Sequence, residues 1–185
     1  MKIKITAVFV FAVLLTLISC NSNEAETVKV SGRYTIDIPT SLSKADNLNE
    51  GASLQYSNER KELYIIVMEE PKKVYEDIIA SDPESYQPGL EGYAGLLLES
   101  TESKIKTDAS PALAKRKVGN LDAYTTEFSG VVDGLHIYWK MAYIEGKNRY
   151  YQIMAWTLND KKEVHGPTMD AMINSFKETD KTKRH

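Results

Sequence analysis

A single cysteine, Cys20, occurs in the 185 residues, so the chain can form no internal disulfide and its stability must come from a packed core. The three histidines, His136, His165 and His185, lie too far apart for the i, i+4 or short-loop spacing of a metal site. No Gly-x-Ser-x-Gly segment is present to expose a nucleophilic serine. A large excess of either charge is also lacking. The 23 lysines and arginines are outnumbered by 26 aspartates and glutamates, a balance that argues against nucleic acid as a partner. The chain has no repeat period, and after residue 19 it has no apolar run long enough to span a bilayer.

What is present begins at the amino terminus. Lys2 and Lys4 precede an apolar stretch, Ala7 to Ile18, interrupted only by Thr16 and too short for a stable span, as in a secretory leader. A buried amino-terminal helix would not need an apolar surface all round with polar residues directly after it. The stretch ends in Leu17-Ile18-Ser19-Cys20, which resembles the lipobox of bacterial lipoproteins. That resemblance implies acylation of Cys20, which becomes the mature terminus and commits the only thiol to lipid, leaving none for Cys-His catalysis. Each buried methylene of an acyl chain contributes about 0.8 kcal/mol, so several chains hold a folded body at a bilayer without a spanning helix. Removing the leader takes away Lys2 and Lys4 and leaves 21 basic against 26 acidic side chains, a formal charge of −5.

The expected organisation is a signal peptide over residues 1–19, a lipidated terminus and flexible tether over 20–30, a folded domain over 31–178 and a charged tail over 179–185. Asn21 to Thr27 is small, polar and acidic, a composition that does not bury enough apolar area to order itself. Tyr34, Ile36 and Ile38 alternate with Thr35 and Asp37 up to Pro39, predicting a half-buried strand. Two short runs, Ser53 to Ser57 and Glu62 to Met68, flank Asn58-Glu59-Arg60-Lys61 as a hairpin. Val74, Tyr75, Ile78 and Ile79, then Leu90, Tyr93, Ala94, Leu97 and Leu98, recur at helical spacing around Asp82-Pro83, predicting one broken helical layer.

From Ala112 to Leu158 the period changes to that of consecutive strands punctuated by glycine and asparagine turns. Leu135, Ile137, Trp139, Met141 and Tyr143 share one strand face, as do Tyr150, Gln152, Met154, Trp156 and Leu158. Gly166-Pro167 opens a terminal helix with Met169, Met172, Ile173 and Phe176 on its apolar side. Hairpin connections make the sheet mainly antiparallel, and apolar residues on both of its faces require cover on both sides. The fold class is therefore α+β, an α/β/α sandwich.

This layout resembles the PsbP-like family, which includes the extrinsic subunit of photosystem II, a Ran-binding nuclear-transport protein and many bacterial lipoproteins. The likeness spans residues 30–178. It is carried by Tyr34-Thr35-Ile36-Asp37-Ile38-Pro39, the helix around Tyr86 to Ser100, Tyr138-Trp139, Tyr150-Tyr151 and the ending Ser175-Phe176. The resemblance implies a binding or accessory role, no shared catalytic residue and no cofactor, and it transfers no functional position to this chain.

The remaining candidates each have a plain packing or surface reading. Glu69-Glu70 point to opposite strand faces and read as a solvated strand end. Lys115-Arg116-Lys117 reads as a solvated edge, and Gly89, Gly92 and Gly95 as a close approach of their helix to the sheet. His136 reads as an imidazole paired across the sheet, and His165 as a residue that ends a loop. Tyr124, Tyr138 and Tyr151 are placed on faces opposite the apolar stripes, where rings left open by the helices would line a binding groove. The expectation is a non-catalytic module held at the bacterial outer membrane or cell surface by lipid on Cys20, with an envelope protein as partner. A carrier of a small apolar ligand is the alternative, and a hydrolase with a dispersed site comes last.

Overall fold

The computed structural model describes residues 24–180; Cys20 and the leader lie outside them, as do residues 181–185. In chain order the elements are β1 (Ala25–Val30), β2 (Tyr34–Pro39), β3 (Ser43–Lys44), β4 (Leu54–Asn58), β5 (Leu63–Pro71), α1 (Lys72–Ser81), α2 (Gly89–Glu102) and β6 (Lys106–Thr107). They continue with β7 (Ala114–Val118), β8 (Leu121–Val132), β9 (Leu135–Glu145), β10 (Arg149–Leu158), α3 (Lys162–Asn174) and β11 (Lys177–Glu178). The hairpin, broken helix and meander stand where their periodicities predict them, and a terminal helix follows with a shifted start and with Phe176 just beyond its end.

Eight strands form the central sheet in the order β3-β4-β5-β10-β9-β8-β6, with β7 paired to β8, and every pairing is antiparallel. Trp139 lies opposite Trp156, so the two apolar stripes face the same side of the sheet. That side packs on α1 and α2 through Tyr75, Leu90, Tyr93, Met141, Tyr143 and Tyr150. The other side packs on α3 and a small second sheet through Ile65, Ile144, Tyr151, Ile153, Met169 and Phe176. Three layers result, an α+β sandwich with helices on both faces of a mainly antiparallel sheet.

Four local expectations are corrected. The tether is shorter than composition suggests, because Ala25, Glu26 and Thr27 belong to β1 and pair with Pro39, Ile38 and Asp37. Their side chains are exposed, so the backbone ladder orders them, and Thr27 Oγ1 adds a 2.6 Å bond to Asp37. Secondly, Tyr34–Pro39 leaves the central sheet. It forms a three-stranded sheet with β1 and β11 whose fully buried Tyr34, Ile36 and Ile38 face the core. Thirdly, α3 opens at Lys162 and not at Gly166-Pro167, which puts Pro167 inside the helix. Proline deprives the Glu163 carbonyl of its helical donor, a loss that water can offset because both residues are exposed. At the other terminus Thr179 is not frayed, since its N–H donates to the Arg33 carbonyl at 2.7 Å.

Candidate functional site

Of the three tyrosines expected on one open face, only Tyr138 lies at an opening. Tyr151 is fully buried, with its ring 5.6 Å from Tyr34 and 5.0 Å from Phe176, so it fills the core. Tyr124 stands opposite Tyr143 and therefore belongs to the α2 side, where its hydroxyl donates to Glu91 at 2.7 Å. Within a strand the alternation was readable, but relating one strand's faces to the next requires the register.

Tyr138 borders a groove between α3 and the exposed margin of β8 and β9. Two cavities of about 350 Å³ each share Glu127, Lys140 and Asp170. Glu127 and Lys140 are cross-strand partners, and Asp170 reaches down from α3. Tyr138 donates to Glu127 at 2.7 Å, while Lys140 donates to Asp170 at 2.6 Å and lies 3.2 Å from Glu127. The hydrogen bond from Tyr138, helped by Lys140, holds the Glu127 carboxyl below its ordinary value. Burial and that same carboxylate push the Tyr138 phenol well up. Burial works to lower the Lys140 ammonium, but its bonds to Asp170 and Glu127 outweigh burial and raise it.

Arg116 closes the groove from β7. Its Nη2 donates to Asn174 at 2.9 Å, while its Nε is buried with no hydrogen-bond partner. The basic cluster is thus split, with Lys115 and Lys117 exposed and Arg116 turned inward. Leaving a buried donor unmade costs about 1–3 kcal/mol.

A second concavity of about 530 Å³ lies at the opposite end of the sheet, lined by Lys72, Lys73, Lys147 and Arg149 together with Glu76 and Asp180. Beneath it Glu69 is not a solvated strand end. Its side chain is 6% exposed, ion-paired to Arg33 and 3.7 Å from Arg149. The register places Glu69 opposite Tyr151, on the core face, which explains the burial.

His136 meets a carboxylate, with Nε2 2.6 Å from Oδ2 of Asp108, which directly follows β6 and whose N–H donates to the Ser129 carbonyl of β8, so the pair spans the sheet across β8. Neither the groove nor the second concavity is lined by His136. His165 lies within α3 and bonds the Lys61 carbonyl at 2.9 Å. Of the α2 glycines only Gly92 makes a close approach, and to a loop and not the sheet, since its Cβ would stand 1.8 Å from the Gln87 carbonyl oxygen while Gly89 and Gly95 have nothing within 4 Å. Among the described residues no three His, Cys, Asp or Glu side chains converge on a metal position, and no helix is long and apolar enough to cross a membrane. No single one of these cavities is lined by more than one aromatic ring, so the groove expected for an apolar ligand is not formed by these tyrosines.

No family model and no curated protein matches the sequence. Solved structures do match the fold. Cyanobacterial PsbP (CyanoP) from Synechocystis is similar over 88% of this chain and 98% of its own, with a TM-score of 0.59 and 11% identity. The Ran-binding protein Mog1p of Saccharomyces cerevisiae is similar over 86% of this chain and 97% of its own, with a TM-score of 0.55 and 14% identity. The chain therefore has the PsbP-like fold, with its open groove at the edge of α3.

Proposed function

We propose that this protein is a lipid-anchored component of the bacterial envelope whose folded body is a non-catalytic binding or accessory module. One observation carries the binding part: an open groove beside α3 whose charged side chains Glu127, Lys140 and Asp170 are held in fixed positions by one another and by Tyr138. General acid-base catalysis is favoured by a group poised near the working pH. Here Glu127 is driven down and Tyr138 and Lys140 are driven up, away from neutrality. Such a site presents fixed charges to a partner and is not set up to move protons. The likeness to a protein described as Ran-binding is consistent with a module that works through partners. The anchoring part rests on the Leu17-Ile18-Ser19-Cys20 pattern.

A photo-activated cross-linker at Ala112, exposed and lining the groove, tests this in intact cells against the same group at Ser81 on the far face. A reproducible envelope-protein adduct from position 112 and none from 81 is the expected result. No adduct from position 112, or the same adduct from both, would overturn it.

A further inference from the structure

We infer that the end of the molecule carrying the β4–β5 turn and the start of α3 is the surface that lies against the lipid headgroups. This rests on Cys20 being the anchor and deepens that reading by saying how the body is held. Glu24 is fixed to the fold, because its carbonyl accepts from the Thr40 N–H at 2.8 Å. Only four chain steps separate Cys20 from Glu24, a reach of at most about 14 Å. The same end gathers the β4–β5 turn, since Asn58 Nδ2 donates to the Ser41 carbonyl at 2.6 Å. It also gathers the start of α3, through the bond between His165 and Lys61.

The opposite end, where Lys72, Lys147 and Arg149 line the large cleft, lies a full strand away along β10. Ten residues of strand span about 33 Å, more than twice the tether's reach, so the tether cannot let both ends touch the bilayer alike. Two segments at the near end carry the same balanced pattern, Glu59-Arg60-Lys61-Glu62 and Asp160-Lys161-Lys162-Glu163. Next to the second stands Val164, 70% exposed. A surface without net charge has little to gain from anionic lipid, so the apposition is set by the tether and persists on zwitterionic membranes and in salt.

The test uses the chain from Cys20 onward, with its only thiol coupled to a maleimide phospholipid in phosphatidylcholine vesicles. Lysine acylation is mapped by mass spectrometry and compared with protein capped at Cys20 and free in solution. All four reporters, Lys61 and Lys162 near the tether and Lys73 and Lys117 far from it, are exposed in the structure. Acylation of Lys61 and Lys162 should slow severalfold on vesicles while Lys73 and Lys117 keep their rates. Uniform protection, or protection at Lys73 and Lys117, overturns the inference. Inserting a 20-residue Gly-Ser linker before Glu24 extends the mean reach to about 25 Å and should restore acylation. Protection that survives the linker also overturns it, because the end would then bind lipid unaided. The coupling is chemical, so the result is independent of whether cells acylate Cys20.

Discussion

Gly92 and Gly95 lie one turn apart in α2, and alanine should change stability in opposite directions at the two positions. Replacing an interior helix glycine by alanine ordinarily gains about 1 kcal/mol. At Gly95 a Cβ would meet nothing within 4 Å, so that gain should appear in full. At Gly92 the Cβ would stand 1.8 Å from the Gln87 carbonyl oxygen, 2.5 Å from its carbon and 2.8 Å from the Tyr75 hydroxyl. Two of these atoms are backbone, and Tyr75 donates to the same carbonyl at 2.7 Å, so the α1–α2 connection must move and strain or break that bond. Overpacking costs about 1–3 kcal/mol and a lost hydrogen bond about 1 kcal/mol more, which outweighs the helical gain and leaves Gly92→Ala less stable by about 1–3 kcal/mol. For a domain of this size that is a fall of roughly 2–12 °C in Tm, against a rise of roughly 2–4 °C for Gly95→Ala. Thermal and urea unfolding followed by circular dichroism measure both. Equal gains at the two sites would refute the close approach.

Burial pushes the Tyr64 and Tyr150 phenols up to about 12 and raises Tyr34, Tyr93, Tyr143 and Tyr151 further. Because the folded values are the higher ones, this contribution is intact below the ordinary phenol value near 10 and drains away as pH rises from there toward the folded values. Absorbance at 295 nm should therefore rise in a cooperative step that coincides with loss of near-ultraviolet dichroism; gradual ionisation near pH 10 with the fold retained would contradict it. Lys140→Met leaves Glu127 and Asp170 without their shared cation and should cost about 1–2 kcal/mol at pH 7, a figure reduced because both carboxylates are partly exposed. The lowered Glu127 value gives stability that is present above the ordinary carboxylate range and lost as pH falls through the folded value, so the variant's deficit should shrink in acid. Urea titrations at pH 7 and pH 3.5 showing an unchanged deficit would count against the network.

Periodicity made the large elements legible, since α2 buries the Leu90, Tyr93, Ala94 and Leu98 that its stripe named. It could not show β1, whose first residues face water and are ordered mainly by backbone pairing. The two-residue strands β3, β6 and β11 are too short to carry a pattern. The groove was hidden for a related reason. Arg116, Glu127, Lys140 and Asp170 come from four elements, and only the register that sets Glu127 opposite Lys140 brings their charges together. Tyr138 was legible as a rim residue, whereas Tyr124 and Tyr151 needed the same register to be placed.

Anchoring at the envelope depends most directly on the chemical state of position 20. Intact mass analysis of the amino-terminal peptide from the membrane fraction should show a chain beginning at Cys20 and carrying the mass of a diacylglyceryl group. A mature terminus elsewhere, or an unmodified Cys20 on protein that still sediments with membranes, would contradict it.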